Sequence, residues 1–234
     1  MDLKEEGILG ADIGKHWYYR AKAAALAKAV RGLAPKRLLD IGAGSGFFSR
    51  HLLTEGGAES ALCVDTGYTQ ERDETVSGKQ MRFRRDCGQT DCDLVLMMDV
   101  LEHVDDDRAL LRHYASKVPS GAHFLVTVPA FSFLWSGHDV YLEHKRRYRL
   151  AEIEAAMRDA GLGVTFGAYY FGFIFPLATA VRLATRGDTT PKSSLSKHGA
   201  FTNELLSAVF ALERPFFPVN RLAGLSCFVV AKKP

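Results

Sequence analysis

The stretch that most constrains the fold is Lys36 to Arg50, KRLLDIGAGSGFFSR. Leu38, Leu39 and Ile41 form an apolar run too short for a helix, and it ends in glycines. The pattern predicts a buried strand over 37–41, a tight turn at Gly42, Gly44 and Gly46, and a helix from Phe47 to Glu55 that stops at Gly56-Gly57. Glycines at such a turn let a ligand approach the backbone, and the free N–H groups of the following helix start face it. The result is a nucleotide-sized pocket. A dinucleotide fingerprint would need glycine at position 47, where Phe47 stands, so the third glycine comes one residue early. The pattern is D-x-G-x-G-x-G, led by Asp40.

Further strands are predicted at 61–64, 80–85, 93–98, 123–128 and 164–170, with helices between them. DLVLMM at Asp93 to Met98 is a continuous apolar run, as a central parallel strand requires. Residues 66–78 are polar and are expected to form a short helix or loop. Strands alternating with helices imply βαβ units and an α/β, doubly wound, mostly parallel sheet. Ligands of such sheets bind at the carboxyl ends of the strands. Asp65, Asp86 and Asp99 all fall at strand ends on that edge, and Asp65, about 20 residues past the glycine turn, suits ribose hydroxyls. The 234 residues suffice for one α/β domain with an insertion. A net charge of +3 is too small to argue for a nucleic-acid partner. Cys63, Cys87, Cys92 and Cys227 form no CxxC, so reduced thiols in a cytoplasmic protein are expected. The acidic opening MDLKEEGILGADIG carries no apolar signal-peptide core.

Two segments are placed to meet a second ligand. The helix over 14–32 opens with Trp17 and Tyr18, either as a cover over the pocket or as ordinary packing aromatics. The loop Pro129 to Tyr148, PAFSFLWSGHDVYLEHKRRY, starts where a central strand ends. It offers Trp135 and Tyr148 as aromatic contacts, Arg146 and Arg147 for an anionic group, and His138 and His144 as general bases. Structural uses stay open: His144 as a tie to the sheet edge, the basic run as a solvated helix start. His138, Asp139 and His144 match no metal-ligand spacing, and no metal is expected.

Five segments in order, HWYYRA at His16, LLDIGAGSG at Leu38, DLVLMMDVLEHVDDD at Asp93, VPAFSFLWSGHDVYLEHKRRY at Val128 and GLSCFVVAKKP at Gly224, give the chain a resemblance to a known family. It resembles the class I S-adenosylmethionine-dependent methyltransferases, and is similar to the ubiquinone-type (methyltransferase 11 or 23) group. The resemblance implies a seven-stranded sheet whose last strand is antiparallel. It implies S-adenosylmethionine as cofactor and S-adenosylhomocysteine as product. Asp40, Gly42, Ala43, Gly44 and Gly46 would hold the methionine end, and Asp65 with Thr66 the ribose. Asp86 would take the adenine amino group, with Cys87 beside the ring where the family often has a larger apolar residue. Asp99 would line the end of the strand it follows. Glu102 and His103 belong to a family signature that fits a structural helix start as well as catalysis.

A helical insertion is expected at 172–222, before the last strand, and an N-terminal helical cover at 1–35 of a single domain spanning 1–234. Residues 161–181 carry no charge, but Gly163, Gly167, Gly172 and Pro176 break them up; a strand, a helix over 173–185, a polar loop over 187–199 and a helix over 201–213 are expected. The insertion suits a hydrophobic acceptor pocket, a dimer face or a membrane-surface contact. The resulting expectation is a cytoplasmic methyltransferase acting on a small-molecule or lipid-linked acceptor with O-methylation favoured, with peripheral contact to the inner membrane face left open. The rivals are a non-catalytic cofactor-binding regulatory subunit and an NAD(P)-dependent oxidoreductase. Nucleic-acid methylation is disfavoured, because Met98-Asp99-Val100-Leu101 stands where an Asn/Asp-Pro-Pro-aromatic motif would be.

Overall fold

The computed structural model describes residues 10–185, 190–193 and 199–234. Its strands are β1 Arg37–Ile41, β2 Ser60–Val64, β3 Arg72–Val76, β4 Lys79–Arg84, β5 Leu94–Met98, β6 His123–Pro129, β7 Gly163–Tyr170 and β8 Ser226–Lys232. They form one sheet in the order β3-β4-β2-β1-β5-β6-β8-β7. β4, β2, β1, β5 and β6 pair in parallel, and β8 runs antiparallel between β6 and β7. The seven expected strands are all present, the last one antiparallel.

The eighth strand corrects the expectation for 66–78. Arg72–Val76 pairs antiparallel with β4 across Ser77 (φ 51) and Gly78 (φ 79), the two positive-φ residues a tight primed hairpin needs. Of its residues only Val76 is apolar, so no period-2 apolar signal existed. Cross-strand pairing holds it instead: Arg84 donates to Asp73 at 2.7 Å, and the charges protect an exposed edge.

The helices are α1 Trp17–Val30, α2 Phe47–Thr54, α3 Asp107–Lys117, α4 Gly137–Tyr141, α5 Leu150–Asp159, α6 Phe175–Ala184 and α7 Ala200–Glu213. Alternation along β5 sorts the two faces of the sheet. Leu94, Leu96 and Met98 pack with Leu26 of α1 and Leu52 of α2. Val95 and Met97 pack with Leu111 of α3 and Met157 of α5. A third cluster, built on Ala25, Tyr170, Phe210 and Phe228, seats α7 against α1 and the β7–β8 end of the sheet. No helix of the described residues is long and apolar enough to cross a membrane. The expected loop over 187–199 lies largely outside the described residues.

Candidate active site

The glycine turn joins β1 to α2 at the carboxyl edge of the sheet. Gly42 and Gly46 adopt φ 62 and 75, conformations that a side chain would strain. The space is also taken: a Cβ on Gly42 would lie 2.8 Å from Val100 Cγ2, and one on Gly46 would overlap the Met81 methyl. The Gly42 and Ala43 N–H groups donate to Val64 O at 2.8 and 3.3 Å, tying the turn to β2. Tyr68 donates its hydroxyl to Gly44 O at 2.7 Å.

Asp65 accepts from Gly44 N–H at 3.0 Å on one oxygen and from Gly67 N–H at 2.9 Å on the other. A carboxylate has about four acceptor positions, so each oxygen keeps one for a diol. Thr66, next in the chain, is exposed. Asp40 is buried and accepts from the Ser49 hydroxyl at 2.7 Å; burial pushes its carboxyl up to about 6. Ser45 Oγ is buried with no hydrogen-bond partner among the described residues. An unfilled polar atom inside a glycine cradle fits a polar cofactor tail. Asp86 is exposed and ion-paired to Lys117 at 3.1 Å, and the hydrogen bond from Lys117 holds its carboxyl below the usual range. Cys87 is half-buried and accepts through its carbonyl from the same ammonium at 2.5 Å.

Beside the turn lies a cavity of about 200 Å³. Its walls come from the start of α1 (Trp17, Tyr18), the strand-5 edge (Asp99, Glu102, His103), the 129–147 segment (Pro129, Leu134, His138, Leu142, His144, Arg147), α6 (Ala178, Arg182) and Leu225-Ser226. α1 is fixed as the lid of this space by α7. Trp17 stacks on Phe210 at 5.1 Å, and Trp17 N–H donates to Asn203 Oδ1 at 2.7 Å.

Beneath the lid, Lys22 is completely buried and donates to Asp99. Burial alone would lower the Lys22 pKa, but Asp99 and Tyr18 outweigh it and the ammonium is held firmly charged. Burial likewise works against the Asp99 carboxylate, yet Lys22 and the Thr127 hydroxyl (3.0 Å) keep its pKa low. Asp99 has φ 55, an uncommon left-handed conformation for a residue with a Cβ. Glu102, in the 3-10 turn Leu101–His103, is fully buried and neither carboxyl oxygen has a hydrogen-bond partner among the described residues. Burial, then the nearby Asp99 charge, drives its pKa well up.

Asp139 is also fully buried, on the short helix α4 that Ser136 caps. One oxygen accepts from Arg147 Nε at 2.7 Å and meets His144 Nδ1 at 2.9 Å; the other accepts from Ser136 N–H at 2.9 Å. Burial opposes ionisation, but the hydrogen bond from His144 and the Arg147 charge overcome it, so the carboxyl stays well below its usual range. A carboxylate on Nδ1 requires the proton there and leaves Nε2 as the basic nitrogen of His144. His138 differs: burial drops it to about 4, so it is neutral and weakly basic near pH 7.

Of the substrate candidates, Trp17, Tyr18 and Arg147 line the cavity, as do both histidines. Trp135, Arg146 and Tyr148 are not among its lining residues. Arg146 donates to Val104 O and Asp105 O at 3.1 and 2.7 Å. Tyr148 is buried and donates to Asp107 Oδ2 at 2.9 Å, anchoring the loop to the start of α3. Lys22 went unnoticed in the sequence, although Tyr18, Lys22 and Leu26 share one helical face. Arg182 was legible as a charge flanking the apolar helix of a candidate acceptor pocket, and it lines the cavity. Despite the expectation of no metal, donor atoms of Glu102, His103 and His144 lie within 4.8 Å of one another, a set that suits a divalent cation.

A family model described as a methyltransferase domain matches residues 15–165. The ubiquinone biosynthesis O-methyltransferase of Marinobacter nauticus is 28% identical over 158 residues, 56% of this chain and 66% of that protein. The protein of the same name from Aeromonas salmonicida is 33% identical over 107 residues, 42% of this chain and 45% of its own. The chain therefore spans less than two thirds of the length of these relatives. Among solved structures, an S-adenosylmethionine-dependent methyltransferase from Mesorhizobium loti aligns over 91% of this chain and 100% of its own, with TM-score 0.52 and 16% identity. The [4+2]-cyclase SpnF aligns over 93% and 82%, with TM-score 0.57 and 15% identity. These two likenesses concern the fold, and the cyclase illustrates that the fold hosts more than one chemistry.

Proposed function

Because the chain belongs to the methyltransferase domain family, we propose that it moves a methyl group from S-adenosylmethionine to a hydroxyl oxygen of a small or lipid-like acceptor held in the cavity. The observation that carries this reading is the junction at Asp99-Val100. Val100 packs on Gly42 of the turn, while Asp99 lines the cavity, so a cofactor in the turn and an acceptor in the cavity are neighbours. The chain acts as one cytoplasmic domain, with the described residues up to 35 as its cover and those between 172 and 222 as an insertion that shapes the acceptor side. The relatives' printed names support oxygen as the methylated atom.

In this reading Asp40, Gly42, Ala43, Gly44 and the Ser45 hydroxyl hold the methionine end of the cofactor. Asp65 takes the ribose diol on its two remaining acceptor positions. Asp86 and Cys87 border the adenine. The bound cofactor supplies an already activated methyl group, so the protein's task is alignment and proton removal. Trp17 and Tyr18 close the lid and exclude water. His144 takes the acceptor's hydroxyl proton on Nε2, and Asp139 stabilises the imidazolium that results. His138 is too weak a base for that role and stays a neutral hydrogen-bonding wall. Arg147 and Arg182 favour an acceptor that becomes anionic.

The test is methyl transfer from labelled S-adenosylmethionine to a panel of phenols, catechols, amines and thiols. Turnover confined to hydroxyl acceptors, falling 100-fold or more in His144→Gln while S-adenosylhomocysteine binding persists, is expected for the loss of a general base. Transfer to amines or thiols alone contradicts the hydroxyl assignment.

A further inference from the structure

The wall of the acceptor cavity carries charge of both signs in separate places. Asp99 and Glu102 come from the end of β5, beside the glycine turn; Arg147 comes from the segment after β6 and Arg182 from α6. His144 links the two groups. One of its ring nitrogens lies within 4.8 Å of a Glu102 oxygen, and its Nδ1 rests on Asp139, which Arg147 also holds. The Arg147 side chain is 9% exposed. Its Nε donates to Asp139 Oδ1 and its Nη1 to Ala130 O, both at 2.7 Å. Nη2 has no acceptor among the described residues. Arg182 belongs to the inner face of α6: it and Ala178 line the cavity, whereas Leu177 and Val181, one position before each, are exposed. Burial lowers the Arg182 pKa and the Arg147 charge lowers it further, with Asp139 acting the other way. Asp139 is already engaged. A carboxylate offers about four acceptor positions, and those of Asp139 meet Arg147 Nε, His144 Nδ1, the Ser136 N–H and the Ser136 hydroxyl.

Two guanidinium groups that bear on each other across a small cavity repel, and an anion between them removes the repulsion. The planar fork of arginine matches the oxygens of a carboxylate or phosphate, to which it donates paired hydrogen bonds. Elsewhere around the cavity the Lys22 ammonium is already committed to Asp99, so it does not compete for such an anion. A cavity of about 200 Å³ is below the roughly 300–1,000 Å³ of a drug-sized site, so the enclosed part of the ligand is small. We propose that Arg147 and Arg182 form an anion subsite, and that the acceptor is a hydroxy acid whose carboxylate or phosphate is held there while its hydroxyl faces His144. The charge is present before any proton is removed, which separates this subsite from stabilisation of a developing oxyanion. The role of the hydroxyl rests on the methyl-transfer reading; the anion subsite does not.

The experiment is calorimetric titration of the full chain with benzoate, phenyl phosphate and benzamide, in a buffer free of phosphate and carboxylate, with and without S-adenosylhomocysteine. Benzamide keeps the ring and the shape of benzoate without its charge. The wild type is expected to bind benzoate or phenyl phosphate about 10-fold or more tightly than benzamide, and the tighter of the two identifies the anion. Arg182→Gln is expected to lose this preference and Arg182→Lys, which keeps the charge, to retain part of it, with S-adenosylhomocysteine affinity unchanged in both. Equal affinity for the three probes, binding of none of them, or a preference that survives Arg182→Gln overturns the subsite. The wild-type comparison needs no variant, so it decides even where a substitution disturbs folding. Among hydroxyl compounds that are methylated, those bearing a carboxylate or phosphate are expected to have a KM about 10-fold or more below their neutral counterparts; lower KM values for the neutral ones contradict the hydroxy-acid assignment. Absence of S-adenosylhomocysteine binding is read separately and bears on the methyltransferase reading alone.

Discussion

His138 on α4 and His144 just past its end are six residues apart, yet their surroundings give them different chemistry. Asp139 fixes the orientation and tautomer of one imidazole through its Nδ1, while burial strips the other of basicity. The consequence for His138 is measurable. Its folded pKa of about 4 lies below the usual value near 6.5. Between those values the unfolded chain binds more protons than the folded one, so this residue makes stability fall as pH falls through the window. Wild type is expected to lose about 2 kcal/mol relative to His138→Gln between pH 7 and pH 4.5, read from denaturant midpoints at each pH. Stability curves that stay parallel contradict the assignment. The sequence made both histidines visible as candidates but did not rank them. Their difference comes from the partner of each ring, and Asp139 was legible only as part of a rejected metal spacing. Glu102 was visible as part of a family signature; its burial without a partner appears only in three dimensions.

Among the elements, the glycine turn and the apolar strands were readable because each is a local matter of backbone conformation and period. β3 was not readable, because four of its five residues are charged or polar and leave no apolar alternation to see. The lid α1 was legible as a helix with aromatics at its start, but what holds it is not local. Asn203, 186 residues away, accepts from Trp17 N–H and donates to Lys15 O at 2.6 Å. Replacing Asn203 with Ala removes both bonds, at about 1 kcal/mol each. For a chain of this length that corresponds to a fall of roughly 4–8 °C in Tm. The same variant is expected to raise the acceptor KM more than it lowers kcat, since the lid orders the acceptor and does not touch its proton. A fall in kcat with KM unchanged would remove α1 from the acceptor site.

At the scale of the molecule, one sheet edge gathers the functions. The carboxyl ends of β1 and β2 present the glycine turn and Asp65, and the end of β5 presents Asp99 and Glu102. The segment after β6 presents the His144–Asp139 pair. The insertion adds an outer wall whose other side is an exposed apolar surface. A doubly wound sheet makes the first part of this arrangement foreseeable from sequence, because strand ends collect on one edge. The insertion has no such rule, and its two-faced helices became clear only when their neighbours were known. Calorimetric titration with S-adenosylhomocysteine and with NADH, on wild type and on Asp65→Ala, tests the central claim most directly. Micromolar binding of S-adenosylhomocysteine by the wild type, lost in the variant, with no response to NADH, is the expected result. Binding of NADH alone, or S-adenosylhomocysteine binding that Asp65→Ala leaves unchanged, would contradict the account of this pocket.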